Sequence, residues 1–171
     1  MKGPVLETDR LTLRMWREED FEPYSEMCAD PEIMRYLGRG KTLNRFEAWR
    51  QMAFLVGHWD LLGYGHWAVE EKASGRFAGR VGFLNPVGWP GFEIGWTLGR
   101  QFWGKGYATE AARRALQFAF DDLDRSHVIS LIHPGNHASI RVAERLGEKL
   151  EGNTELMGNN VLIYGIDRPA R

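Results

Sequence analysis

Between residues 92 and 109 an apolar strand-like run passes into a helical pattern across two glycines separated by one lysine. The run is Phe92-Glu93-Ile94-Gly95-Trp96-Thr97-Leu98, and the turn reads Gln101-Phe102-Trp103-Gly104-Lys105-Gly106-Tyr107-Ala108-Thr109. Glycines at such a junction let backbone approach a ligand closely, and the first N–H groups of the following helix have no intrahelical partner. Those donors and the helix dipole make an anion site suited to phosphate or pyrophosphate. A nucleotide P-loop needs four residues between its first glycine and Gly-Lys-[Ser/Thr], which this turn lacks. A dinucleotide fingerprint needs a third glycine where Thr109 stands, and an acid closing the next strand; Asp124 precedes that strand instead. The remaining readings are a Gln-x-x-Gly-x-Gly pyrophosphate turn and a plain strand-to-helix connection.

The segments around the turn restrict the fold. Leu6-Glu7-Thr8-Asp9-Arg10-Leu11-Thr12-Leu13-Arg14 alternates like a half-buried strand, and Glu18 to Cys28 reads as a short helix with an acidic first turn. Asn44 is placed to cap a helix carrying Phe46, Trp49, Met52, Ala53, Val56 and Trp59 on one apolar face. From Gly65 the period drops to two: strands at 66–70, 77–83 and 92–98 precede a helix from Tyr107 to Phe120. A strand at Val128–Ile132, a helix capped by Asn136, and two closing strands around Gly158-Asn159-Asn160 complete the order. The order β-α-α-β-β-β-α-β-α-β-β implies a mixed α/β sheet, not an alternating doubly wound one. With 171 residues, 43% hydrophobic and 26% charged, the whole span 1–171 is expected to form one domain.

Charge and cysteine usage exclude several function classes. Twenty-two basic and 23 acidic residues leave a net charge of −1, so no global field recruits nucleic acid or anionic lipid. No apolar run reaches the ~18 residues of a membrane span. Met1-Lys2-Gly3-Pro4-Val5-Leu6-Glu7 lacks a secretory h-region, and Cys28 alone forms no internal disulfide; a cytoplasmic protein is expected. The five histidines form no His-Glu-x-x-His helix, so no metal site is expected. Cys28 reads as a packed thiol, and Trp67, Trp89 and Trp103 as possible borders of a ligand pocket.

Four segments together resemble the GNAT superfamily of acyl-coenzyme A-dependent N-acetyltransferases. Gln101-Phe102-Trp103-Gly104-Lys105-Gly106 matches its Gln/Arg-x-x-Gly-x-Gly/Ala motif, and Glu93 to Leu98 looks like the strand before it. Thr109-Glu110-Ala111 continues the family helix, and Asn136 to Gly147 resembles the segment after the next strand. Glu7 to Arg14 resembles the opening of the ribosomal-protein-alanine and serine N-acetyltransferase branch. The resemblance implies a mostly antiparallel sheet with splayed strands at a cofactor cleft, and acetyl-coenzyme A (acetyl-CoA) as co-substrate. It places Trp96, Thr97 and Leu98 along the pantetheine arm, and Gln101, Gly104, Lys105, Gly106, Tyr107 and Ala108 at the pyrophosphate. Asn136 falls where the family Asn meets the pantetheine or acyl end, although a helix N-cap explains it equally well.

For catalysis the resemblance implies Glu93 as the base that accepts the amine proton. The tyrosine acid that many members carry is replaced by Ala143, which leaves Ser139 as the hydroxyl near the thiolate. Glu148 stands where an aromatic residue is usual. The family's acceptor entrance maps onto Asp30–Thr42 and Met157–Asn160. Its modest charge suits a peptide or protein N-terminal amine, or a small amine, better than a polycation. A silent acyl-CoA-binding sensor is the contrasting reading. The chain is expected to act as a monomer or homodimer without nucleic-acid or membrane partners.

Overall fold

Asn44 opens the longest helix through a reciprocal cap. Its side chain accepts from Glu47 N (3.0 Å), while the Glu47 carboxylate accepts from Asn44 N (2.8 Å). This satisfies two donors the helix would leave orphaned. The helix, α3 (Arg45–Leu62), stops at Gly63, whose φ of 73° ends it in the left-handed region. These features come from a computed structural model, which describes residues 3–170. Met1, Lys2 and Arg171, the ends of the span expected as one domain, lie outside the described residues.

Before α3 come β1 (Leu6–Glu7), β2 (Leu11–Arg14), a 3-10 turn (Glu18–Asp20), α1 (Phe21–Ala29) and α2 (Pro31–Met34). After it come β3 (His66–Glu71), β4 (Arg76–Leu84), β5 (Glu93–Leu98) and a 3-10 turn (Arg100–Phe102). Then follow α4 (Tyr107–Asp121), β6 (His127–Ile132), α5 (His137–Leu146), β7 (Lys149–Leu156) and β8 (Asn159–Asp167). The eight strands form one sheet in the order β1-β2-β3-β4-β5-β6-β8-β7. Every pairing is antiparallel except β5 with β6. The sheet is therefore the mixed, mostly antiparallel one expected.

The exception positions the site. β5 and β6 share a single registered pair, Glu93 with Ile129, and part beyond it. Ile129 N donates to Phe92 O (3.0 Å), and the Ser130 hydroxyl reaches Ile94 O (3.1 Å). From Gly95 onward the edge of β5 that faces β6 has no ladder partner, which opens a cleft in the sheet.

Two cores cover the faces of the sheet. On one side, Ala111, Ala112, Ala115 and Ala119 bring α4 close to buried Trp67, Val81, Phe83 and Ile94. On the other side, Trp16, Tyr24, Met27, Met52 and Leu55 pack α1 and α3 against Ala68 and Phe77.

Three expectations are corrected. The opening strand is a hairpin, β1 paired with β2, because the Thr8 hydroxyl accepts from Leu11 N (2.9 Å) and folds the chain at Thr8–Arg10. The buried stripe of α3 runs through Ala48, Met52, Leu55 and Trp59, so Phe46 and Trp49 face outward; Trp49 is 50% exposed, edge-on to Phe21. Trp67 borders no pocket: it is fully buried, ringed by Trp59, Phe83 and Phe118.

Candidate active site

Two cavities meet where β5 and β6 part. One, of about 490 Å³, runs along Trp96, Thr97 and Leu98 to the glycine turn and α5. The other, of about 540 Å³, lies between α3, the 34–43 segment and the β7–β8 turn. Trp96, Thr97, Asn136 and Ser139 line both.

The glycine turn forms the floor of the first cavity. Gly104 (φ 73°) and Gly106 (φ 80°) are left-handed, and Gly106 is the N-cap of α4. A Cβ added to Gly104 would meet nothing within 4 Å, so backbone conformation is what requires glycine there. The α4 N-terminus therefore opens onto the cavity with its first donors free of side-chain caps, a fit for an anionic group.

A brace from the N-terminal hairpin holds this turn. Arg10 grips Glu110 (2.6 and 2.7 Å) and donates to Lys105 O (2.9 Å), with its guanidinium 4.7 Å from the Tyr107 ring centroid. The Thr8 hydroxyl adds a 2.6 Å bond to Glu110. Beneath, buried Glu71 accepts from the Tyr107 hydroxyl (2.7 Å), Ser74 (2.7 Å) and Lys105 Nζ (3.2 Å). These donors hold its carboxyl down at about 2.

Of the residues expected at the cofactor, Trp96, Thr97, Leu98, Gly104, Gly106, Tyr107, Ala108 and Asn136 come together around the first cavity. The other two are not among its lining: the Lys105 ammonium pairs with Glu71, the expectation for this residue being its backbone amide, and Gln101 sits in a separate hollow beside α1 with Arg100 and Asp30. Leu98 O is already taken by Trp103 Nε1 (2.8 Å). Asn136 serves as the α5 N-cap through Ser139 N (3.2 Å) while also lining both cavities.

Glu93 lies in the second cavity at the one point where β5 still pairs with β6. Burial pushes its carboxyl up to about 7, against the opposing pull of Trp89 Nε1 (2.6 Å), the Arg80 charge and Leu131 N–H. Ser139 Oγ accepts from Trp96 Nε1 (3.2 Å), which leaves its own proton free to donate. Ala143 is fully buried and brings no hydroxyl. The two segments expected at the acceptor entrance do face each other, joined by Asn159 Nδ2 to Gly38 O (3.0 Å).

Sequence reasoning missed several residues. Arg141 and Arg145, one helical turn apart on α5, both line the first cavity with Arg35; that i, i+4 spacing was the available signal. Tyr36, inside the Asp30–Thr42 segment expected at the acceptor entrance, lines both cavities, tilted against His133 at 5.0 Å. Arg80 and His66 also escaped notice, each read as an ordinary strand residue. Among the described residues, no group of three or more His, Cys, Asp or Glu could hold a metal ion.

The family model of the acetyltransferase (GNAT) domain matches residues 10–149. The chain belongs to the GNAT acetyltransferase family. It is 35% identical over 167 residues to the uncharacterized protein YkkB of Bacillus subtilis (strain 168), covering 93% of each chain. Against the uncharacterized N-acetyltransferase p20 of Bacillus licheniformis it is 30% identical over 151 residues, covering 86% of this chain and 84% of p20. The crystal structure of the acetyltransferase from Agrobacterium tumefaciens str. C58 superposes with a TM-score of 0.87 at 29% identity. That match covers 98% of this chain and 96% of the other. As in a GNAT fold, the splayed strands and the glycine turn lie on one cleft.

Proposed function

We propose that this GNAT protein transfers an acetyl group from acetyl-CoA to a primary amine by direct attack, with Glu93 as the base. The observation that carries the reading is Glu93 itself: a carboxylate with its pKa pushed up to about 7, lining the second cavity at the last pair before β5 and β6 part. A base works best when its pKa lies near the working pH. The first cavity would hold the coenzyme, with the pyrophosphate on the α4 N-terminus and the pantetheine arm beside the unpaired edge of β5. Coenzyme A, when bound, supplies the thioester. Glu93 takes the proton the attacking amine loses, and Ser139, whose hydroxyl proton is free, gives one to the departing thiolate.

The acceptor we propose is a peptide or protein N-terminal amine, with a small-molecule amine as the second choice. An α-amine has a pKa of about 7.7–8.0 and costs ~1 kcal/mol to neutralise at pH 7, against ~4.6 kcal/mol for a lysine side chain. A base at about 7 suits the first task and falls short of the second. The segment Thr8-Asp9-Arg10-Leu11, which carries the likeness to the ribosomal-protein branch, braces the glycine turn. That support bears on the coenzyme side; the acceptor assignment rests on the second cavity. The silent-sensor reading draws only on buried Ala143. A thiol-release assay with acetyl-CoA across Ala-, Ser- and Met-initiated peptides, amino acids, polyamines and aminoglycosides separates them. Turnover of an N-terminal amine is expected; coenzyme binding without release of thiol from any amine would favour the sensor.

A further inference from the structure

The acceptor-side cavity holds a cation that the reaction above does not use. Arg80 stands on β4 opposite Thr97, four residues from Leu84, which stands opposite Glu93. Even spacing along two paired strands puts Arg80 and Glu93 on the same face of the sheet. The half-buried Arg80 guanidinium reaches His66, with Nη1 3.1 Å from Nδ1 and 3.5 Å from Nε2. Buried His66 is kept neutral, because burial and the Arg80 charge drive its pKa well below the ordinary imidazole range. It offers Arg80 a lone pair but no countercharge.

Several other arginines of this chain are held by carboxylates. Arg10 grips Glu110, Arg45 grips Glu22, and the buried Arg14 is held by both Asp20 and Glu70. Around Arg80, by contrast, no carboxylate of the described residues stands within ion-pair distance. The buried Tyr24 hydroxyl donates to Gln51 (2.6 Å) and offers Arg80 only a neutral oxygen, and burial keeps the Cys28 thiol protonated, so neither supplies a countercharge. A permanently charged fork with only neutral partners in a cavity is costly unless an anion meets it.

The rest of the cavity favours the same kind of occupant. Arg39 and Lys41 line it as further cations, and the Glu47 carboxylate is occupied in the α3 cap. Between the two functional ends lies the neutral His66 ring: a Cβ on Gly95 would sit 3.4 Å from that ring and 3.9 Å from Glu93 Oε1. Gly95 gives the imidazole room on the face between Arg80 and Glu93, and an occupant that spans the two passes over His66.

We propose that Arg80 receives a carboxylate carried by the acceptor itself, so that the acceptor class is amines bearing a carboxylate, held with the amine toward Glu93. This rests on the acetyltransferase reading of the same site. A planar guanidinium binds a carboxylate through two parallel hydrogen bonds, and a carboxamide of the same shape lacks the charge to do so. The carboxylate has two sources, a free amino acid or an acidic residue at the start of a peptide. The Arg80 charge also opposes the ammonium form of the amine near the base and works against a polycation.

The test compares matched acceptors in the thiol-release assay. They are alanine against alaninamide, each rate expressed per free amine, and a Glu-Ala dipeptide amide against its Gln-Ala counterpart. Wild type is expected to favour the carboxylate member of at least one pair by ~10–100-fold in kcat/KM, mostly through KM. The first pair reports a free amino acid, the second a peptide. R80Q should bring that ratio close to one, and R80K should recover part of it. Retention of the coenzyme A-dependent rise in Tm shows that each variant is folded. A wild-type ratio near one in both pairs overturns the proposal, as does an unchanged ratio in folded R80Q. If R80Q does not fold, the wild-type and R80K ratios decide. Absence of thiol release from every amine defeats the acetyltransferase reading instead, and is told apart by that loss of all turnover.

Discussion

The two cavities that meet beyond Glu93, where β5 and β6 part, are built on opposite plans. The coenzyme side is made of backbone: two left-handed glycines, a helix N-terminus and an unpaired strand edge, held by Arg10, Glu110 and Glu71. The acceptor side is made of side chains drawn from distant segments, with Glu93, Arg80 and His66 close together on the sheet and Tyr36 across the cavity. A backbone cradle fixes one ligand chemistry and tolerates many sequences around it. A side-chain cavity changes its preference with each substitution, which is how a common coenzyme site comes to serve different acceptors.

The largest expected effect breaks the cradle. Gly104→Asp forces a left-handed aspartate and a negative charge into the anion site. It should abolish the coenzyme A-dependent rise in Tm seen in wild type, read by thermal melting. A retained shift would show that the turn does not hold the coenzyme. Glu93→Gln tests the other side. It should slow transfer by ~10²-fold while leaving the coenzyme shift in place, since only the acceptor side is altered.

Arg10→Ala sharpens the comparison further. It removes the brace but no direct lining residue, so coenzyme affinity should fall ~10-fold, by titration, with little change in acceptor preference. If acceptor preference moved instead, the hairpin would belong to the acceptor side.

The smallest effect concerns stability. Glu148 is buried, hydrogen-bonded to Ser130 (3.1 Å), and its carboxyl is pushed up to about 7 by burial, with smaller contributions from the Glu151 and Glu93 charges. Between an unfolded value near 4.3 and about 7 the folded state holds a proton that the unfolded chain has released. Stability is therefore greatest below the unfolded value, falls as pH rises through that window and levels off above it. Glu148→Gln should flatten the decline by on the order of 2 kcal/mol, so its Tm at pH 8 should exceed wild type by a few degrees. An unchanged pH dependence of Tm would mean that Glu148 ionises freely.

The same contrast explains what was legible in the sequence. The element order from β3 onward, the α3 cap at Asn44 and the glycine turn are local, written in spacing and turn chemistry, and were readable; the split of the opening strand into β1 and β2 and the short α2 were not. The outward face of Trp49 was not, because two apolar stripes compete on α3 and only packing against Ala68 and Phe77 selects the one through Ala48 and Met52. The Lys105 side chain pairs with Glu71 on β3, 34 residues earlier, a contact that no local pattern shows. Arg80 looked like any strand arginine. Its meaning depends on which carboxylates fail to reach it, and a linear sequence carries no such information.

The central claim is that Glu93, in the second cavity, is the base for the amine. The direct test is the pH dependence of kcat/KM for an N-terminal amine acceptor, in wild type and Glu93→Gln, with a titration of the acceptor alone to remove its own pKa. Wild type should show an ascending limb centred near pH 7, where Glu93 loses its proton, and the variant should lose that limb along with ~10²-fold of its rate. A variant that keeps both the limb and the wild-type rate would contradict the account.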